Sequence, residues 1–248
     1  MSSPHQTLLN RILTDNLKNV VDTIESTCLR CDRDPSEIKL IAVTKYAPLE
    51  AVRELNRIGL RVYGENRPQQ LVERAETLVK DSGWSPSEWH LIGQLQRNKV
   101  RAVLPHVGLI HSIDSVKLLS HVDRVAEENG ASPAVLLQVN TSGEESKSGF
   151  TPEKLLEDWE QITAFDNVRL RGLMTMAPFT EETTRVRKTF SELRRILADL
   201  NATGQLPSMT ELSMGMSSDY QIAIEEGATM IRLGSTLFEG TSELSTDT

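Results

Sequence analysis

Eight short apolar runs, separated by longer segments of helical spacing, recur along this chain and leave few architectures open to it. They fall at Ile38–Val43, Leu60–Tyr63, Trp89–Ile92, Gly108–Ile113, Ala134–Val139, Val168–Met174, Thr210–Ser213 and Thr229–Leu233. Each is rich in Val, Ile or Leu and nearly continuous in hydrophobicity, as strands of a parallel sheet covered on both faces are. Thr210–Ser213 carries the weakest strand signal. Between the runs, sets such as Leu71, Val72, Ala75, Leu78, Val79 and Phe190, Leu193, Ile196, Leu197, Leu200 keep helical spacing. Alternating βα units imply right-handed crossovers with helices outside the sheet. Eight of them fit the size of a (β/α)8 barrel, whereas the competing doubly wound open sheet more often has fewer strands. The expectation is an α/β chain forming a single-domain (β/α)8 TIM barrel over 31–240. An extra amphipathic helix within 1–30 (Leu9, Leu13, Leu17, Val20, Ile24) packs on it, and a polar tail over 241–248 is disordered.

Composition narrows the function. The 248 residues carry 27 Lys and Arg against 35 Asp and Glu, a formal charge of −8. With no basic stripe, binding to nucleic-acid backbone is excluded as the main business. No apolar run approaches the roughly 20 residues of a membrane helix. Arg11, Asp15 and Lys18 stand where a signal peptide would be apolar. Two cysteines give no disulfide framework, which fits a reducing compartment, so a cytoplasmic protein is expected. No apolar stripe demands a partner, so a monomer is expected.

In a barrel the chemistry sits where strands end and βα loops begin. Lys45 follows the first strand directly, on the side of Ile41 and Val43. If that side faces the interior, partial desolvation favours a neutral amine able to form a Schiff base with an aldehyde. The alternative is a lysine that snorkels to the rim and pairs with Glu65. After the seventh and eighth strands, Gly215, Ser217, Gly234 and Ser235 offer close backbone approach and hydroxyl donors, as an anion site needs. Ser218-Asp219-Tyr220-Gln221 reads as a capping box opening a helix. Ordinary glycine-serine turns are the competing reading. Arg232 lies in mid-strand beside Met230 and Gly234. A buried guanidinium needs a partner, either a barrel carboxylate or an acceptor on a ligand above it. His90 beside Trp89 reads more readily as a packing residue than as a ligand. Cys28 and Cys31 lack two further ligands for a metal, and Glu144-Glu145 and Glu225-Glu226 read as solvated faces.

Taken together, AVTKY around Lys45, YGENR at 63–67, WHLIGQLQRNK at 89–99, HSIDS at 111–115, LRGLMTM at 170–176 and ELSMGMSSDYQIAIEEGATMIRLG at 211–234 are highly specific. They resemble the YggS/PROSC pyridoxal-phosphate homeostasis proteins, single-domain relatives of the alanine racemase barrel of PLP fold type III. The resemblance implies pyridoxal 5′-phosphate as cofactor, held as an aldimine on Lys45. It implies Ser217, Gly234 and Ser235 at the phosphate, Arg232 at the pyridine nitrogen, and Asn66, His90 and Met174 around the ring. The stretch Leu237-Phe238-Glu239-Gly240-Thr241 departs from the family's usual pattern.

An arginine at the pyridine nitrogen disfavours its protonation and damps the cofactor as an electron sink. The racemases use a similar arginine, but they also take an acid/base tyrosine from a second domain. The expected function is therefore a non-catalytic holder of pyridoxal phosphate in vitamin B6 homeostasis, which hands the cofactor to PLP-dependent apoenzymes. An amino-acid racemase using Lys45 as a base is the alternative. A cofactor-free Schiff-base aldolase acting on a sugar phosphate stands third.

Overall fold

The computed structural model describes residues 4–144, 147–205 and 208–241. Its elements alternate as the apolar runs require. Helix α1 (Pro4–Arg30) precedes β1 (Lys39–Val43), α2 (Leu49–Arg57), β2 (Val62–Glu65), α3 (Pro68–Leu78), β3 (Glu88–Leu91) and α4 (Val100–Val103). Then come β4 (Leu109–Ile113), α5 (Val116–Glu128), β5 (Ala134–Gln138), α6 (Pro152–Glu157), α7 (Trp159–Thr163) and β6 (Arg169–Met174). The chain finishes with α8 (Thr183–Ala202), β7 (Glu211–Ser213), α9 (Tyr220–Glu225) and β8 (Met230–Leu233). All eight strands pair in parallel and in chain order, and β8 returns to β1 through Lys39–Met230 and Ile41–Arg232, closing the barrel. The weak seventh strand is real but short, and its register with β8 rests on one pair, Ser213 with Met230.

Strand alternation sorts side chains into two cores. Ile41, Leu109, Ala134, Leu136, Met174 and Met230 form a separate cluster inside the barrel. Their neighbours in sequence, such as Ala42, Ile110, Val135, Leu137, Leu173 and Ile231, pack outward under the helices. The second strand runs to Glu65, beyond the expected Tyr63, because Gly64 and Glu65 are both buried and the Glu65 carboxylate finds partners there. Gly64 faces inward, where a Cβ would lie 2.9 Å from Ile41 Cγ2.

Helix α1 buries Leu9, Leu13, Val20, Ile24 and Cys28 against the barrel's helical shell, with Leu17 packed at its edge. It contacts α2 and α9. Asn16 Nδ2 donates to the carbonyls of Leu237 (3.1 Å) and Glu239 (2.9 Å), so this helix clasps the very segment that departs from the family pattern. Of the tail, Thr241 is buried and donates to Phe238 O, so order extends one residue past the expected boundary. Residues 242–248 lie outside the described residues. One acidic reading changes. Glu226 is buried, bonded by Arg187 (2.8 Å) and Arg194 (3.2 Å), and Glu225 also meets Arg187 (2.5 Å), so the pair ties α8 to α9 and is not a free solvated face. Glu144 pairs with Lys147 (2.9 Å), while Glu145 lies outside the described residues.

Candidate functional site

Parallel strands bring every strand end to one rim, so Lys45, Asn66, Thr175, Ser217, Gly234 and Ser235 meet at the C-terminal mouth. Lys45 sits two residues past β1 and is exposed, with its ammonium 4.8 Å from the centroid of the exposed Tyr46 ring. It does not pair with Glu65. That carboxylate turns outward from the barrel, accepts a hydrogen bond from Thr44 Oγ1 and meets Arg74 Nε at 3.0 Å. The lysine does stand at the rim, as the alternative has it, but the ion pair with Glu65 does not form. The expected desolvation is also absent, because the lysine stands at the rim and not inside it.

Arg232 is the buried charge of the site. It shares the inward parity of Met230, and its neighbour on β1 is Ile41. Among the described residues no carboxylate lies within ion-pair distance. The guanidinium donates instead to Ser213 Oγ (2.5 Å) and to Thr175 O (3.0 Å). Burial lowers its pKa to about 10, partly offset by the Asp219 charge, so it remains a cation at neutral pH. Asp219 is itself pushed up by burial.

Below Arg232 a chain of polar groups descends the barrel interior. Ser213 Oγ lies 2.8 Å from His111 Nδ1, and His111 Nε2 lies 2.9 Å from His90 Nδ1. His90 Nε2 is 3.0 Å from Glu88 Oε1, at ion-pair distance although its N–H points off that line. Arginine can only donate, so Ser213 Oγ accepts from Arg232. From that cation Ser213, His111 and His90 continue as one line of polar contacts toward Glu88. Burial, then the charges of His90, Arg232 and Lys39, hold His111 well below the ordinary histidine range. The His90 contact, helped by Lys39, holds Glu88 down to about 2 against the effect of burial.

The remaining expected residues are placed as follows. Ser217 Oγ accepts from Thr236 N at 3.5 Å, joining the loops after β7 and β8. Gly234 lies against β1, where a Cβ would stand 3.3 Å from Val43 O, and Ser235 is exposed beside it. The expected capping box does not form. Asp219, not Ser218, occupies the cap position, and its Oδ1 accepts from Met216 N (2.6 Å), closing the preceding loop. Asn66 lines the rim, its carbonyl packed so closely on Gly93 that a Cβ there would lie 2.1 Å from it. Met174 is buried at the top of the interior cluster. His90 sits lower, fully buried within β3, and connects toward the rim through His111 and Ser213. Sequence reasoning passed over His111, Ser213 and Glu88. The signal was available as period-two parity, since Glu88 and His90, Leu109 and His111, Glu211 and Ser213, and Met230 and Arg232 all point inward.

A closed eight-stranded barrel with a lysine just past β1 and a buried, carboxylate-free arginine on β8 defines the class, and residues 34–242 match the family described as alanine racemase, N-terminal domain. Within that class several named relatives share one description. The chain is 41% identical over 224 residues to the pyridoxal phosphate homeostasis protein of Aquifex aeolicus, covering 90% of this chain and 96% of that one. The chain belongs to the pyridoxal phosphate homeostasis protein family. Among solved structures, PipY of Synechococcus elongatus with PLP bound superposes with a TM-score of 0.77 at 39% identity, covering 88% of this chain and 99% of PipY. Alanine racemase of Clostridium difficile shares the fold, with a TM-score of 0.71 at 15% identity over 90% of this chain and 56% of the racemase.

Proposed function

We propose that the chain holds pyridoxal phosphate reversibly at the C-terminal mouth, bonded to Lys45, and serves intracellular homeostasis of that cofactor without catalysing a reaction of its own. The observation that carries this reading is Arg232, a buried cation beneath the rim whose hydrogen bonds reach only neutral acceptors. A guanidinium so placed fits a neutral acceptor above it, as the ring nitrogen of the cofactor is. Pyridoxal phosphate supplies an aldehyde that condenses with an amine and releases one water. Lys45 presents that amine on the exposed rim, open to an aldehyde arriving from solvent. Arg232 would donate to the ring nitrogen of the bound cofactor and, by like-charge repulsion, would keep a proton off it. Ser217 and Ser235 offer hydroxyls to the phosphate, and Gly234 leaves its backbone bare beside them. Asn66 and Met174 would border the ring, and His90 would act on it only at second hand, through the polar chain that ends at Arg232.

An unprotonated ring would stabilise carbanions poorly; because the racemases use a similar arginine, the choice of a holder over a racemase rests on the description that the relatives share. The description shared by the relatives and the bound cofactor in PipY support the same reading. The test loads the protein with pyridoxal phosphate, removes the free cofactor, and adds a PLP-dependent apoenzyme while a panel of amino acids is assayed for racemisation. The reading expects the apoenzyme to gain cofactor and no racemisation to be detected. Racemisation abolished by Lys45→Ala would overturn it in favour of an enzyme.

A further inference from the structure

The turn that carries Lys45 is gripped from both sides by a buried ion pair. Glu65 at the end of β2 and Arg74 on α3 meet at 3.0 Å, with side chains 0% and 9% exposed. Glu65 Oε1 accepts from Thr44 Oγ1, on the residue before the lysine. Arg74 donates to Ala47 O at 2.7 Å, two residues after it. Gln70, one turn earlier on α3, reaches the Lys45 carbonyl itself at 3.3 Å. Ala47 N donates to Thr44 O at 2.9 Å and closes the turn between the two grips.

This pair is poorly explained as a stabilising device. Replacing a buried ion pair by apolar side chains of similar volume is often neutral or favourable, because two charges no longer need to be desolvated. Here the desolvation is incompletely offset, since Glu65 Oε2 and Arg74 NH1 are buried without hydrogen-bond partners. Helix α3 is already anchored by Leu71 and Leu78, both fully buried. What the charges do, and apolar residues could not, is hold hydroxyl and carbonyl groups of residues 44–47 in one arrangement.

We propose that Glu65 and Arg74 are positioning residues for Lys45: they fix the 44–47 turn so that the lysine amine is presented to the mouth in one place. The inference rests on the reading that Lys45 bonds the cofactor. Attack of an amine on an aldehyde is directional, and a displacement of about 1 Å can slow such a step by about 100-fold. The pair therefore acts on the rate of covalent capture and leaves the hold on ring and phosphate alone.

The test compares wild type with the double variant Glu65→Leu/Arg74→Met and the single variants Thr44→Val and Arg74→Lys. Three quantities are read: the thermal midpoint, the affinity for pyridoxine 5′-phosphate, and the rate of covalent capture of pyridoxal phosphate. Pyridoxine 5′-phosphate has an alcohol in place of the aldehyde, so it reports the non-covalent site only. The double variant is expected to keep or raise the midpoint, to bind pyridoxine 5′-phosphate as wild type does, and to capture pyridoxal phosphate at least about tenfold more slowly. Arg74→Lys, which keeps the charge but not the forked geometry, is expected to fall between. Capture at the wild-type rate, or a loss of pyridoxine 5′-phosphate affinity that matches the loss of rate, would overturn the proposal. Should the double variant fail to fold, Thr44→Val decides alone, because it deletes one hydroxyl: slower capture upholds the grip and an unchanged rate rejects it. A wild type that captures nothing on Lys45 removes the functional reading itself, a result plainly distinct from variants that capture as wild type does.

Discussion

At the scale of single residues, the barrel interior is organised by which groups can only donate. Arg232 donates at the top of the interior, and Ser213, His111 and His90 continue the polar chain down to Glu88. Ser213 is the joint of this chain. Ser213→Ala leaves an Arg232 N–H and His111 Nδ1 unpaired in the interior and is expected to cost about 1–3 kcal/mol in chemical denaturation. His111 also sets an acid limit. His111 is neutral in the fold well below 6.5, while in the unfolded chain it takes up a proton near 6.5. As pH falls through 6.5 the unfolded state binds a proton that the fold refuses, so stability declines. Glu88 adds a second loss: its unfolded carboxylate protonates near 4.5 and its folded one only near 2. Denaturant midpoints are expected to fall from about pH 7 to about pH 5, and His111→Asn to flatten that limb. A wild-type midpoint that is level across this range would contradict the assignment. Little of this was legible in advance. The identities of Lys45 and Arg232 stand out because a charge next to an apolar run is conspicuous. The partners of Glu65, and the absence of a carboxylate for Arg232, depend on which strands and helices become neighbours.

At the scale of elements, the sequence is a better guide. All eight strands fall on the apolar runs, because a strand covered on both faces must be apolar at nearly every position. The errors lie at ends, where polar residues are satisfied by tertiary partners: Glu65 extends β2 through Arg74, and Asp219 displaces the expected cap of α9 by bonding Met216 N. The first helix was visible from its spacing, but its partner was not. Asn16 bonds the segment after β8, so α1 fastens the chain's two extremes. Leu13, fully buried on that helix, is expected to cost about 2–5 kcal/mol when cut to Ala. Asn16→Ala, which leaves two carbonyls on a partly exposed surface, is expected to cost about 1 kcal/mol. Both are read from denaturation midpoints, and a loss for Asn16→Ala as large as that for Leu13→Ala would mean that the clasp, not the apolar face, holds α1.

At the scale of the molecule, the barrel separates what is held from what is offered. Arg232 and its polar chain lie inside, fixed by close packing, while Lys45 stands on an exposed rim beside Tyr46 and across the mouth from the loop of Phe179, which is also exposed. An amine at an open rim above a buried cation is the arrangement that the proposed reversible hold on an aldehyde cofactor requires. The central claim is the bond at Lys45, and the visible absorption spectrum tests it most directly. Wild type and Lys45→Ala are each incubated with pyridoxal phosphate and freed of excess. The account predicts a band in the wild type that borohydride bleaches and that Lys45→Ala lacks. The same band in both proteins, or in neither, would contradict it.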